Sequence, residues 1–163
     1  MPAYLGRNER LTLARCMVSL RQRISFHEAG HATAALVYNI PIIAVSIDAD
    51  VPHLHRGHYR APANFGLERL VTMCLAGPAA ERYFVGPITD GGDQPDIQMA
   101  RGYLSQRFDP LTVGAEIVRL RDAADRLVRT LWVQDRIRWI AAALLRHGTL
   151  TGDEIGVMIV ADA

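Results

Sequence analysis

The stretch "SFHEAGHATAAL", residues 25–36, decides how this chain is interpreted. It places His27 and His31 four residues apart, with Glu28 between them. The stretch consists of good helix formers and contains no proline, so we expect it to be helical. Residues four apart on a helix lie one turn above each other on the same face, and both imidazoles can therefore reach one metal ion.

This spacing is typical of a zinc hydrolase site. The two imidazoles bind Zn²⁺, which lowers the pKa of a bound water, and the intervening glutamate accepts the proton as that water attacks a polarised carbonyl. We therefore predict His27 and His31 as zinc ligands and Glu28 as the catalytic general base. Gly30 costs about 1 kcal/mol relative to alanine inside a helix, which indicates close packing against this turn. The alternative is a pair of histidines satisfied by neighbouring polar groups.

A catalytic zinc needs a third protein ligand and an open fourth position. Residue 37 is Val, so the chain lacks the extended motif that has a third histidine six residues after the second. Glu81 in "LAGPAAER" and Asp96, which follows a glycine- and aspartate-rich segment, both suit the role, and the residues alone do not separate them. Asp96 also suits an ordinary helix N-cap. The remaining candidate ligands are Asp90, Asp93, His53, His55 and His58, of which we expect the three histidines to be solvated.

The composition is that of a globular protein. The chain has 163 residues, of which 50% are hydrophobic and 21% charged, and this predicts one domain over residues 1–163 with a flexible tail at residues 1–8. The formal net charge of +1 does not indicate nucleic acid or acidic lipid as a partner. All 18 basic residues are arginine, which excludes a lysine base or Schiff base.

The two cysteines and the hydropathy of the sequence indicate the cellular compartment of the protein. Cys16 and Cys74 lie in apolar surroundings at no metal-ligand spacing, so we expect free thiols in a reducing cytoplasm. No segment reads as a signal peptide, and the longest apolar stretch, "AALVYNIPIIAV", is too short to span a bilayer. We therefore expect a soluble, cytoplasmic protein without a membrane span.

Periodicity along the chain predicts an α+β protein that is predominantly helical, with one small sheet or hairpin. The first helix is predicted over residues 9–38 and ended by Pro41, and a strand over residues 42–49 pairs with a short one over residues 57–60. A second helix is predicted over residues 65–84, with a kink or break at Pro78. A third begins at residue 95 or 96, and a fourth covers residues 113–132. A fifth runs from a cap at Asp135 to Gly148, and a last one follows a capping box of Thr151 and Glu154.

Four blocks of sequence together resemble a known family. "HEAGHA", "LAGPAAER", "GGDQPDIQMAR" and "TLTGDEI" occur in the order and rough spacing of the peptidase domain of the FtsH-type AAA+ zinc proteases, over residues 23–155. The resemblance implies a zincin-like fold with a small sheet near the metal, and Zn²⁺ as the cofactor. It also implies Asp96 as the third ligand and Glu81 as a neighbouring structural acid.

The chain departs from this family in several places. Because there is no lysine for a phosphate-binding loop, we expect no ATPase module. We also expect no membrane anchor, since no stretch is long and apolar enough to span a bilayer. Pro78 stands where the family usually has arginine, and the segment "RFDPLTVGAE" is shorter than the family's equivalent loop. ATP-driven unfolding is therefore not carried over to this chain.

The predicted function is a zinc metalloendopeptidase that acts without its own ATPase on unfolded or extended polypeptides. An exposed edge of the small sheet can hold such a substrate by main-chain hydrogen bonds. The alternatives are a catalytically silent zinc-binding or interaction module, and a peptidase subunit recruited by a separate ATPase or adaptor. Apolar stripes on the C-terminal helices predict either core packing or a contact within a homo-oligomer.

Overall fold

The computed structural model describes residues 19–48, 57–59, 65–88 and 91–160, with only the backbone at residues 57, 58, 159 and 160. Within these ranges the chain is predominantly helical with one small antiparallel sheet, which confirms that part of the predicted fold class. None of the described helices is both long enough and apolar enough to cross a membrane. The elements are α1 Leu20–Val37, β1 Ile42–Ser46, β2 Gly57–Tyr59, α2 Leu67–Phe84, α3 Gln94–Leu104, α4 Pro110–Val128, α5 Leu131–His147, β3 Thr149–Thr151 and α6 Gly152–Val160.

Helix α1 has a defined start at Ser19. The Ser19 hydroxyl accepts a hydrogen bond from the backbone N–H of Gln22 at 3.2 Å, and the Gln22 side chain accepts one from the Ser19 N–H at 2.9 Å. This reciprocal capping box begins the helix at Leu20 and not at residue 9, so the predicted start is wrong; residues 9–18 lie outside the described part. The helix ends before Pro41 as predicted, and Asn39 makes the turn with a φ of 55°.

Small residues bring α1 close to α2. A Cβ at Gly30 would lie 2.5 Å from the backbone oxygen of Ala76 and 2.6 Å from the Cβ of Ala80, so any larger residue at position 30 would push the helices apart. The distance between packed helices depends on the side chains at the contact, and glycine here permits a close approach. The close packing predicted for this turn is therefore confirmed. Helix α2 runs without a break through Pro78, and its residues 71–81 are buried.

The sheet has the strand order β2–β1–β3, with both pairs antiparallel. The predicted pairing of β1 with β2 is confirmed, and Ile42 lies opposite Tyr59. Strand β1 ends at Ser46, three residues before the predicted end. Strand β3 was not predicted, because a three-residue strand is too short to show alternation. It leads directly into α6, where the predicted capping box is confirmed: the backbone N–H of Thr151 donates to the carboxylate of Glu154 at 2.7 Å.

The two long C-terminal helices are divided differently from the prediction. Helix α4 ends at Val128, and α5 begins after Thr130, whose extended backbone occupies the N-cap position. The single helix predicted up to residue 132 is therefore wrong. Asp135 does not cap a helix but lies inside α5, where it accepts a hydrogen bond from Arg138 at 3.0 Å. Gly148 ends α5 with a φ of 77°, as predicted.

Candidate metal centre

Three of the predicted site residues meet where α1 and α3 come together. His27 and His31 lie on α1, and Asp96 lies in the first turn of α3. One carboxylate oxygen of Asp96 is 3.0 Å from Nε2 of His27, and the other is 3.3 Å from Nε2 of His31. One potential ligand atom from each residue lies within 4.8 Å of the other two. The fold thus brings together residues 69 positions apart in the sequence.

This donor set suits a zinc ion in its chemistry. Four-coordinate zinc with bonds of about 2.0–2.2 Å keeps neighbouring ligand atoms roughly 3.3–3.5 Å apart. The two carboxylate–imidazole distances, 3.0 and 3.3 Å, run to different oxygens of Asp96, and one ligand atom from each residue lies within 4.8 Å of the others. Two imidazole nitrogens and one carboxylate oxygen are also a ligand set of catalytic zinc sites, in which the fourth position stays open.

The orientation of both imidazoles is determined by hydrogen bonds at Nδ1. Nδ1 of His27 donates to a carboxylate oxygen of Glu81 at 3.0 Å, and Nδ1 of His31 donates to the backbone oxygen of Met73 at 2.8 Å. A histidine that ligates a metal commonly donates its other ring N–H to a carboxylate or carbonyl, which selects the tautomer. Both rings therefore present Nε2 towards Asp96.

The contact between His27 and Asp96 shifts the pKa values of both side chains. Burial lowers the pKa of His27, but hydrogen bonds to Asp96 and Glu81 outweigh burial and raise that pKa to about 9. Burial raises the pKa of Asp96, but the bonds from His27 and His31 hold that pKa well below its usual value. Both shifts favour the charged forms, an imidazolium at His27 and a carboxylate at Asp96. Because a metal ligand must be deprotonated, a cation bound at Nε2 of His27 would compete with a proton there.

Glu28, the predicted general base, lies beside this cluster. It follows His27 directly on α1 and is 5% exposed. Its charge acts on His27, whose pKa it helps to raise, and on the phenol of Tyr59. Glu28 is therefore buried within electrostatic range of His27 and Tyr59, and its role as general base stays a prediction.

Tyr59 is a residue near the site that no sequence signal marked. Its hydroxyl is buried and has no hydrogen-bond partner in the described part of the chain. Burial raises the pKa of this phenol well above its ordinary value, and the charges of Glu28 and Asp96 raise it further. A lone tyrosine in a three-residue strand carries no recognisable pattern, and only the pairing of β2 with β1 places it here.

Gly77 on α2 is a second residue that the sequence did not mark. A Cβ at this position would lie 2.6 Å from Cδ2 and Cε1 of His31 and would contact Nε2 more closely still. The ring of the second histidine therefore lies directly against the backbone of α2. A glycine in the interior of the predicted second helix was the available signal, because glycine there costs about 1 kcal/mol relative to alanine.

We expect Gly77→Ala to weaken zinc binding while the protein stays folded. Alanine favours the helix, but its methyl group displaces the imidazole of His31, and a misplaced ligand lowers zinc affinity by about 10- to 100-fold. Competition with a chromophoric chelator measures the affinity, and circular dichroism measures the fold. Gly102→Ala on α3 is the matched control, because a Cβ there meets nothing within 4 Å and zinc affinity should not change. Wild-type affinity in Gly77→Ala would contradict the close contact.

Two of the other predicted ligands lie in the described part of the chain, and neither joins the cluster. Glu81 binds the opposite nitrogen of His27, and Asp93 pairs with Arg121 at 3.2 Å. Asp93, and not Asp96, occupies the N-cap position of α3, so the N-cap alternative for Asp96 is wrong. Cys74 is a buried free thiol as expected, and burial raises its pKa to about 12. The candidate ligands outside the described residues are His53, His55, Asp90 and the side chain of His58, and the predicted free thiol of Cys16 also lies outside them.

A surface cavity of about 360 Å³ lies elsewhere on the protein, between the start of α2, the end of α3 and α4. None of the residues that line it belongs to the cluster of candidate ligands. We therefore define the candidate site by its ligand chemistry and not by the shape of the surface. The residues that line this cavity are Gly66, Leu67, Glu68, Arg69, Leu104, Arg107, Phe108 and Glu116.

Comparison with known proteins adds no family assignment. No protein-family model matches the chain, and no curated protein matches its sequence. The functional interpretation therefore depends on the residues of the site and on their order in the sequence.

Proposed function

We propose that this chain is a zinc metalloendopeptidase that hydrolyses peptide bonds in unfolded or extended polypeptides. Zn²⁺ is held by His27, His31 and Asp96, and Glu28 is the general base. The observation that carries the proposal is that two imidazole nitrogens and one oxygen of a carboxylate distant in the sequence lie within 4.8 Å of one another. The resemblance of the four sequence blocks to FtsH-type peptidase domains, with their zincin-like fold, supports it.

The chemistry divides between the metal and the residues of the chain. A Zn²⁺ ion bound here supplies a Lewis acid that polarises the scissile carbonyl and lowers the pKa of the attacking water. Glu28 takes the proton from that water and passes it to the leaving amine. Glu81 and the Met73 carbonyl hold the two imidazoles in the tautomer that leaves Nε2 free to coordinate.

Burial of the centre favours this chemistry. The side chains of His27, His31 and Asp96 are 12%, 8% and 16% exposed. Charges that develop during the reaction interact more strongly in such a site than in water, because the local dielectric constant is lower. The carboxylate of Asp96 also offsets part of the charge of the bound cation.

The position of β2 supports an extended peptide as the substrate. Among the described residues β2 is an outer strand of the sheet, and it bears Tyr59, whose pKa is raised by the charge of Glu28. An extended polypeptide can add to the edge of a sheet through main-chain hydrogen bonds and would then lie beside the catalytic groups. The proposed hydrolysis does not include ATP-driven unfolding, because these 163 residues contain no lysine for a phosphate-binding loop.

Metal removal and restoration test the proposal. We expect about one Zn²⁺ per chain, cleavage of unfolded casein without ATP, loss of cleavage on treatment with 1,10-phenanthroline, and recovery when zinc is returned. Zinc content by mass spectrometry and cleavage of a quenched peptide are measured on the same samples. A protein that binds zinc but cuts no unfolded polypeptide, with or without an added ATPase, would be a zinc-binding module. That result would refute the proposal.

A further inference from the structure

Arg23 lies on α1 one turn before His27 and contacts two other parts of the chain. Nε and Nη2 of its guanidinium both donate to the same oxygen of Glu81, at 2.9 and 2.6 Å. Nη2 also donates to the backbone oxygen of Pro87 at 3.3 Å. Glu81 belongs to α2, and Pro87 lies just after α2, on the way to the helix that bears Asp96. One side chain therefore joins α1, α2 and the segment that leads towards the third ligand.

The bonds from Arg23 hold the Glu81 carboxylate in the orientation in which it meets the first histidine. The guanidinium occupies Oε1, and Oε2 accepts the hydrogen bond from Nδ1 of His27 at 3.0 Å. Nδ1 thereby keeps its proton, and Nε2 is the nitrogen that faces Asp96. The orientation of the first ligand thus depends on an arginine that does not itself approach the metal position.

This ion pair differs from an ordinary surface pair. The side chains of Arg23 and Glu81 are 23% and 7% exposed, whereas exposed pairs typically contribute little to stability. Loss of the guanidinium would leave a largely buried carboxylate with His27 as its remaining donor among these contacts, and the carboxylate would be free to rotate away from Nδ1. Because a guanidinium is a planar fork, it can serve Glu81 and the Pro87 carbonyl at the same time, whereas an ammonium is a compact point charge.

We propose that Arg23 is a positioning residue of the metal centre, which holds His27 and the chain segment leading to Asp96 in the arrangement that binds the cation. This inference rests on the proposed zinc site. It assigns to Arg23 an effect on metal affinity and coordination geometry, and not only an effect on the stability of the fold.

The test compares Arg23→Gln and Arg23→Lys with the wild-type protein. We expect Arg23→Gln to lower zinc affinity by about 10- to 100-fold, the range found for groups that orient metal ligands, and Arg23→Lys to recover part of the loss. The visible absorption of the Co²⁺-substituted protein should change with Arg23→Gln, because it reports the geometry of the ligands. Arg21→Gln is the matched control: Arg21 lies on the same helix and makes an exposed pair with Asp48 at 3.2 Å.

The outcomes separate this inference from the proposed function. A purely structural role would lower the Tm of the metal-free protein but leave zinc affinity and the Co²⁺ spectrum unchanged, and that result overturns the inference. If Arg23→Gln does not fold, wild-type zinc affinity in Arg23→Lys, together with an unchanged Co²⁺ spectrum, overturns it instead. If the wild-type protein binds neither zinc nor Co²⁺, both the inference and the proposed function are wrong. Tight zinc binding that is insensitive to Arg23, with hydrolysis intact, refutes the inference alone.

Discussion

Glu28→Gln is expected to abolish hydrolysis while leaving zinc in place. The amide has nearly the shape of the carboxylate but cannot accept a proton from the attacking water, so kcat should fall by about 100- to 10,000-fold. Glu28 is not one of the three clustered ligands, and zinc affinity should therefore stay near that of the wild type. Hydrolysis of a quenched peptide and zinc content, measured on the same preparation, check both parts.

Glu68→Gln is the control for this substitution. Glu68 lies on α2 with a side chain that is 70% exposed, and it pairs with Arg119 on the surface. Its replacement should leave both hydrolysis and zinc binding unchanged. If Glu28→Gln kept wild-type activity, Glu28 would not be the general base, and the assigned mechanism would be wrong even if the metal ligands were correct.

Asp96→Asn is expected to cause the largest loss of zinc. The amide is neutral and a weaker ligand than the carboxylate, and it offers two imidazoles one oxygen in place of the two that they now share. Loss of a direct ligand should exceed the 10- to 100-fold effect typical of outer groups, so we expect a loss of more than about 100-fold in affinity. A chelator-competition titration measures it, and peptide hydrolysis should fall with zinc occupancy.

Two further variants make this test specific to Asp96. Asp93→Asn removes a carboxylate at the start of the same helix, where it pairs with Arg121, and should leave zinc affinity unchanged. Glu81→Gln weakens the support of His27 and the pair with Arg23 but removes no ligand, so it should cause a smaller loss than Asp96→Asn. If Asp96→Asn kept full zinc while Glu81→Gln lost it, the third ligand would be Glu81, and the assignment would have to be reversed.

The elements that could be predicted are those with a local signal. The alternation in β1, the capping box of Thr151 and Glu154, and the glycine that ends α5 all lie within a few residues of the feature they mark. The boundaries that were missed depended on weaker signals. The capping box at Ser19 is as local a signal as the one at Thr151. It was not recognised because the residues before Ser19 are also good helix formers, so nothing in the sequence marked a new helix start there. Strand β3 has three residues and exists because it pairs with β1.

The third ligand shows why a site is harder to predict than an element. Glu81 and Asp96 could not be separated from the residues alone, and the structure shows that both contact His27, one at each ring nitrogen. Only the carboxylate at Nε2 also reaches the second histidine, and so only Asp96 can share a metal with both. The sequence carries no information about which nitrogen a distant carboxylate meets.

The sequence by itself determined that His27, Glu28 and His31 lie within one stretch of one helix. A spacing of four residues places the two histidines on a common face, because an α-helix completes about one turn in that distance. Tertiary structure decided everything that meets that face: Asp96 opposite both rings, Gly77 against His31, and Arg23 behind Glu81. These contacts join residues 46 to 69 positions apart. They depend on how closely small residues allow α1 and α2 to approach, which no local period encodes.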